Sequence, residues 1–312
     1  MADKPTMDEL FERRVSYPDI EPQERLARLV GLDDQKQRLA KVLGLLVNPA
    51  RLELWVKTHH PDARELLDTV LRRPPLVVMA GDVGSGKTEL AETIGDRVAR
   101  EEEIDITLFP LSLSTRGKGL VGEMTKLLGH AFDYTIAEGE RLKGTKGKSK
   151  GGVILLVDEA DAIAQSRECA QMHHEDRAGV NAFIRGIDRI ANSKLPVAVI
   201  MCTNRLSALD PAVRRRAADV LSFSRPNEEQ RRYVFNERLG PLGLAKKDIE
   251  ALVSATGPQG KGAVGHTYSD LTQRLIPGIV IDAYPDKAVV GSRAVEVAKG
   301  MQATPAFVDK QA

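Results

Sequence analysis

The chain has 312 residues, of which 42% are hydrophobic, 29% charged and only 4% aromatic, an ordinary composition for a soluble α/β protein. Lys and Arg number 45 against 44 Asp and Glu, and this net charge of +1 excludes an overall basic surface for nucleic acid. Cys169 and Cys202 have no paired spacing, the polar N-terminal sequence does not predict a signal peptide, and no apolar stretch approaches the roughly 18 residues that span a bilayer. We therefore expect a cytoplasmic protein without disulfides or membrane segments.

The hydrophobic pattern predicts three regions in chain order. Residues 1–23, with three prolines, are expected to be a flexible leader. Residues 24–226 contain helical patterns that alternate with apolar strand candidates, at 76–80, 106–112, 151–158, 196–204 and 219–224. This alternation predicts an α/β domain with a doubly wound parallel sheet. Beyond residue 226 only helical patterns follow, so residues 227–312 are expected to form a small helical lid domain.

The segment GDVGSGKT follows the first of these strands and opens a helix, which is the context of a phosphate-binding loop. Its glycines let backbone N–H groups wrap a β-phosphate, Lys87 would neutralise phosphate charge, and the hydroxyl of Thr88 would take a Mg²⁺ position. The residues expected to bind the nucleotide here are Gly81, Gly84, Ser85, Gly86, Lys87 and Thr88. A chance glycine-rich turn is the alternative, and the flanking strand and helix disfavour it.

Polar side chains also follow two later strands. Asp158 ends one of them, where its carboxylate would reach Mg²⁺ through water, and Glu159 beside it would act as the general base on the attacking water. Capping of the next helix is the alternative for this acidic pair. Asn204 ends the following strand and would orient the water and sense the γ-phosphate. A turn-forming asparagine is the alternative there.

Three consecutive arginines, Arg214, Arg215 and Arg216, follow a short helical pattern, and successive helical residues do not share a face. A nucleic-acid patch and ordinary solvated charge are the open alternatives. The preferred interpretation is an arginine finger delivered in trans to the γ-phosphate of a neighbouring subunit. Arg215 and Arg216 are its best-placed candidates.

Together these motifs resemble an AAA+ ATPase over nearly the whole chain. The resemblance implies a P-loop NTPase fold, ATP and Mg²⁺ as ligands, a homohexameric ring, and an adenine-gripping segment at Val30 and Gly31. Within the AAA+ ATPases, VNAFIRGIDRI and RRRAADVLSFSRPN are similar to the HORMA-remodelling ATPases of the pachytene checkpoint group, most closely to bacterial members associated with CBASS antiphage operons. That similarity implies a HORMA-domain substrate, with an associated cyclic-nucleotide synthase as a further partner, and neither nucleic-acid nor membrane binding.

The resemblance also assigns a substrate loop and a lid sensor. Residues 114–123 correspond to the loop that such ATPases project into the channel of the ring, where Leu120 and Val121 would press on an extended peptide. An aromatic residue is usual at the position of Leu120, and the N-terminal adaptor-binding domain of the eukaryotic members is not evident. Arg274 is the candidate second sensor. An ordinary surface loop and a helix-surface arginine are the respective alternatives.

Three functions are compatible with these motifs. The first is a ring motor that pulls on a HORMA partner, converts it from the closed, peptide-bound form to the open form, and so switches off or resets antiphage signalling. The second is a clamp or helicase loader, although its basic face or zinc module is not evident in the sequence. The third is a slowly cycling nucleotide switch, and the intact Glu159 argues only against an inactive ATPase.

Overall fold

The computed structural model describes residues 6–111, 123–144, 149–162, 174–260 and 262–306, and the chain divides into two compact units. The first unit comprises Met1–Ala27, Asp34–Ala80 and Thr88–Ser222. The second comprises Arg28–Asp33, Gly81–Lys87 and Phe223–Ala312. The second unit thus includes the whole chain from Phe223 onward, and two short segments from the N-terminal half group with it.

The strands are β1 (Val15–Tyr17), β2 (Leu76–Gly81), β3 (Asp105–Pro110), β4 (Gly151–Val157), β5 (Val197–Thr203) and β6 (Ala217–Phe223). The α-helices are α1 (Met7–Leu10), α2 (Ile20–Ala27), α3 (Asp33–Val47), α4 (Ala50–His59), α5 (Arg64–Leu71), α6 (Lys87–Glu102), α7 (Glu123–Leu142), α8 (His174–Ser193), α9 (Pro211–Arg214), α10 (Glu228–Leu239), α11 (Lys246–Ala255), α12 (Ile276–Ala283) and α13 (Gly291–Gly300). A π-helical turn, Asp270–Leu275, leads directly into α12.

The strands form one six-stranded sheet in the order β1-β3-β4-β5-β2-β6. The pairs β3/β4, β4/β5 and β2/β5 are parallel, with Leu155 opposite Val199 and Val78 opposite Met201. Every residue of β4 and β5 is buried, which explains why both segments are continuously apolar rather than alternating. Helices separate the parallel strands along the chain, so the doubly wound α/β prediction is confirmed.

The N-terminal residues differ from the predicted flexible leader. Residues 15–17 form β1, which pairs antiparallel with β3 and places Val15 opposite Leu108. Tyr17 is buried, and its hydroxyl donates to the carbonyl of Glu92 in α6. Arg25 in α2 forms a two-pronged hydrogen bond of 2.8 Å to the Glu89 carboxylate, also in α6. These contacts fix the segment through partners more than 60 positions away, which its local composition does not reveal.

Each unit has its own hydrophobic core. In the first, Phe132 of α7 and Phe183 of α8 meet edge to face with ring centroids 5.7 Å apart, beneath apolar strand residues. In the second, α10 to α13 bury a cluster around Phe235 and Leu252, against which Val30 also packs. Among the described residues, no helix has the length and apolarity required to cross a bilayer.

Candidate active site

The predicted phosphate loop lies in the chain between β2 and α6. Gly84 and Gly86 have φ values of +68° and +92°, in the left-handed region that favours glycine. A Cβ atom at Gly84 would lie 2.8 Å from Oγ1 of Thr267, and one at Gly86 would lie 3.1 Å from a methyl carbon of Leu32. The loop conformation therefore depends on these glycines, and it opens directly into the N-terminus of a 16-residue helix, a favourable position for an anion.

Lys87 and Ser85 close the loop on itself. The Lys87 ammonium donates to the carbonyls of Gly81 and Asp82, each at 2.8 Å, and the Ser85 hydroxyl donates to the Asp82 carbonyl at 2.7 Å. Both side chains are buried. A buried ammonium that is held by the carbonyls of a glycine-rich loop fits a phosphate group.

The carboxylates predicted for catalysis lie in the first unit. The Thr88 hydroxyl donates to Oδ2 of Asp158 at 2.7 Å, so the two predicted Mg²⁺ residues meet. Oδ1 of Asp158 accepts the backbone N–H of Glu159 at 2.8 Å. Glu159 is exposed and has a φ of +49°, a conformation that non-glycine residues rarely adopt and that clusters at functional sites. An adjacent hydroxyl and carboxylate fit Mg²⁺, which prefers oxygen ligands.

Asp161 is a residue of this site that sequence reasoning missed. Its Oδ1 accepts the Thr203 hydroxyl at 2.6 Å, and its Oδ2 accepts the backbone N–H of Asn204 at 3.2 Å. The carboxylate therefore ties the segment after β4, which carries Glu159, to the end of the neighbouring strand β5. The signal for it was a third acid three positions after Asp158, but nothing in the sequence indicated its partner.

The predicted adenine segment belongs to the second unit. Gly31 has a φ of +70°, and its carbonyl accepts Nε2 of Gln230 at 2.9 Å. A Cβ atom at Gly31 would lie 2.4 Å from the hydroxyl oxygen of Tyr268. Burial, together with the negative charge of Asp33, raises the pKa of Tyr268 to about 12. Val30 packs against the hydrophobic core of the second unit.

The three arginines differ in their surroundings. Arg216 donates two hydrogen bonds, of 2.6 and 2.9 Å, to the carboxylate oxygens of Asp188 in α8. This bidentate pairing raises the pKa of the guanidinium. Arg214 and Arg215 are exposed, and neither forms an ion pair with any acid in the part of the chain that the structure describes. Arg216 is thus paired within the chain, whereas the side chain of Arg215 is exposed.

The candidate second sensor, Arg274, is within the described residues, whereas the candidate substrate loop is not. Arg274 lies in the π-helical turn, where Nη1 pairs with Oδ1 of Asp270 at 2.8 Å and the side chain is 54% exposed. The atoms nearest to a Cβ built at Gly84 belong to Thr267 and Ser269. Leu120 and Val121 fall in residues 112–122, outside the described residues.

Comparison with known proteins finds close relatives. The family model for the "ATPase family associated with various cellular activities (AAA)" matches residues 77–225. CD-NTase-associated protein 6 of Escherichia coli strain MS 115-1 is 67% identical over 308 residues, covering 99% of both chains. A chain of the solved E. coli MS115-1 HORMA:CdnC:Trip13 complex superposes with a TM-score of 0.92 at 66% identity, covering 98% of this chain and 100% of the other. Rhizobiales Trip13 gives 0.75 at 53% identity, covering 95% of this chain and 100% of the other.

Proposed function

Because this chain belongs to the AAA ATPase family, and within it to the group of CD-NTase-associated protein 6, we propose that it is an ATP-driven remodeller of a HORMA-domain protein. The observation that carries the proposal is that this chain is similar, over nearly its whole length, to a chain that was solved together with a HORMA protein and CdnC. In the proposal, the ATPase converts the HORMA partner from the closed, peptide-bound form to the open form. This conversion would switch off or reset antiphage signalling by an associated cyclic-nucleotide synthase.

The phosphate loop and the acids after β4 provide the chemistry of the proposal. Lys87 binds the β- and γ-phosphates of ATP, and Thr88 and Asp158 would hold Mg²⁺, which supplies charge neutralisation of the phosphates when bound. Glu159 accepts a proton from the attacking water, and Asn204 orients that water. The hydrogen bond between Thr88 and Asp158, and the fixing of the Asn204 backbone by Asp161, support these roles.

Force generation requires neighbouring subunits in this proposal. The chain is proposed to assemble as a homohexamer in which Arg215 reaches the γ-phosphate bound by the next subunit, because it is exposed and without an ion pair among the described acids. Arg216 would support it from its fixed position on Asp188. Leu120 and Val121 are proposed to grip the partner in the channel of the ring, Arg274 to act as a second sensor, and the cytoplasm to be the location.

The partner's identity separates this proposal from the clamp-loader or helicase-loader alternative, which the relatives do not favour. A Glu159→Gln chain, loaded with ATP and added to cell extract, is expected to retain a bound partner because hydrolysis is blocked. Recovery of a HORMA-domain protein supports remodelling, whereas recovery of nucleic acid would overturn it. The matched control is Lys87→Ala, which is expected to capture nothing because it cannot hold ATP.

A further inference from the structure

Asp82 connects the phosphate loop to an arginine of the lid. Nε of Arg225 donates to Oδ2 of Asp82 at 2.6 Å, and the two side chains are only 12% and 18% exposed. The carbonyl of the same Asp82 accepts both Lys87 Nζ and the Ser85 hydroxyl. Asp82 therefore contacts Arg225 through its carboxylate and the side chains of Lys87 and Ser85 through its carbonyl.

Arg225 is itself held by two backbone carbonyls. Its Nη1 donates to the carbonyl of Gly265 at 2.6 Å and to that of Thr304 at 2.7 Å. Nη2 is buried without an acceptor among the described residues, so Nε and Nη1 carry the anchoring. A planar guanidinium can serve a carboxylate and two carbonyls in fixed directions, which a lysine ammonium does not reproduce.

Thr304 lies in the C-terminal segment, defined here as residues 302–306, and is fixed to Asp270. Its backbone N–H donates to Oδ2 of Asp270 at 3.0 Å, and its hydroxyl donates to Oδ1 at 2.7 Å. Asp270 is only 1% exposed and also accepts the backbone N–H of Thr267, whose hydroxyl lies next to Gly84. Asp270 thus sets the place where the Thr304 carbonyl meets Arg225.

We propose that Arg225 is a positioning residue for the phosphate loop and that the C-terminal segment holds it in place through Thr304. The inference rests on the proposed binding of ATP by this loop. A bound phosphate competes for Lys87 Nζ with the carbonyls of Gly81 and Asp82, so nucleotide binding removes two hydrogen bonds that shape the loop in this structure. The Arg225–Asp82 pair does not use the ammonium, and Oδ1 of the same carboxylate accepts the backbone N–H of Val83 at 2.9 Å, so the pair preserves the loop during that exchange.

Two truncated chains test the role of the segment. A chain that ends at Ala303 lacks Thr304 but keeps Met301, whereas a chain that ends at Ala306 keeps the whole segment and serves as the control. The probe is fluorescent ADP, whose Kd is measured at equilibrium, together with kcat and KM for ATP. The Ala303 chain is expected to bind ADP about tenfold more weakly and to raise KM similarly, with kcat changed less than about twofold. The Ala306 chain is expected to match the parent.

Point variants separate positioning from stability. Asp82→Asn and Arg225→Lys are each expected to weaken ADP binding about tenfold, and the double variant is expected to be no weaker than either single one, because the residues act as a pair. Thermal unfolding without nucleotide monitors damage to the lid. Parental Kd in the Ala303 chain and in Asp82→Asn would overturn the proposal, as would a lowered Tm with unchanged Kd. If the parent chain binds ADP and the variants weaken that binding, but the parent does not convert a HORMA partner, only the proposed function is contradicted.

Discussion

The Thr88 hydroxyl and the Asp158 carboxylate are joined by a hydrogen bond of 2.7 Å although they are 70 positions apart in the chain. Thr88 belongs to the first turn of α6, and Asp158 directly follows β4. The contact places an oxygen pair suited to Mg²⁺ beside Lys87 in the chain and next to Glu159.

Glu159→Gln is expected to retain ATP binding and to slow hydrolysis by roughly 10²–10⁴, because the amide is nearly isosteric but cannot accept the proton. Phosphate release under saturating ATP measures the effect. Glu103→Gln is the matched control, since Glu103 is also an exposed glutamate with positive φ but follows the far end of α6. Parental turnover by Glu159→Gln would assign the base elsewhere.

Asp161→Ala is expected to lower kcat about tenfold with little change in KM, because it leaves the Thr203 hydroxyl and the Asn204 N–H without their acceptor and lets Asn204 move. Thr203→Val removes the hydrogen bond between the Thr203 hydroxyl and Asp161 by deleting the donor instead of the acceptor. If the two residues act as one unit, the double variant is expected to match the more severe single variant. Fully additive losses would show that Asp161 does not act through the end of β5.

Arg215→Ala is expected to abolish most hydrolysis, because a trans finger contributes about 10³–10⁵ in rate in related phosphoryl transfer. Mixing Arg215→Ala subunits with Lys87→Ala subunits is expected to restore part of the activity, since each defect lies on a different side of the interface. The control mixture pairs Lys87→Ala with Glu159→Gln, whose defects share one side, and is expected to stay inactive. Equal behaviour of both mixtures would count against a finger in trans.

The lowered pKa of Asp270 leads us to expect that the free energy of unfolding of the lid decreases in acid. Burial pushes the pKa of Asp270 up, but hydrogen bonds from Thr267 and Thr304 outweigh burial and lower the pKa to about 2. Its contribution of about 2 kcal/mol is therefore present above about pH 4 and is lost as the pH falls towards 2. The Tm difference between the parent and Asp270→Asn is expected to shrink from pH 6 to pH 3. A difference that stays constant over this range would contradict the lowered pKa.

Leu120→Ala is expected to leave basal ATP hydrolysis nearly intact and to abolish both stimulation by the HORMA partner and its conversion. The reason is that burying one such side chain is worth about 1.5–3 kcal/mol, and a ring presents several at once. Leu54→Ala, at a leucine that is 64% exposed in α4, is the control. Loss of basal hydrolysis together with remodelling would instead identify Leu120 as a core residue.

The parts of this fold that were predictable have a local cause. The buried parallel strands are unbroken apolar runs, and the glycines of the phosphate loop mark backbone that other residues cannot adopt, so both were visible as sequence patterns. The resemblance to AAA+ ATPases is confirmed by the matching family model and relatives. Other features depend on partners that are distant in the chain. These are the pairing of β1 with β3, the contacts of Asp161, and the pairing of Arg216 with Asp188. Composition and spacing carry no record of such partners.

The most direct test of the central claim is the conversion of a purified closed HORMA partner, followed by ion-exchange chromatography, in the presence of the parent chain and ATP. We predict that the partner moves to the open form with ATP and stays closed with ADP. With Glu159→Gln it is also predicted to stay closed, although that variant holds ATP. A partner that remains closed while the parent chain hydrolyses ATP, or that opens equally fast without ATP, would contradict the account.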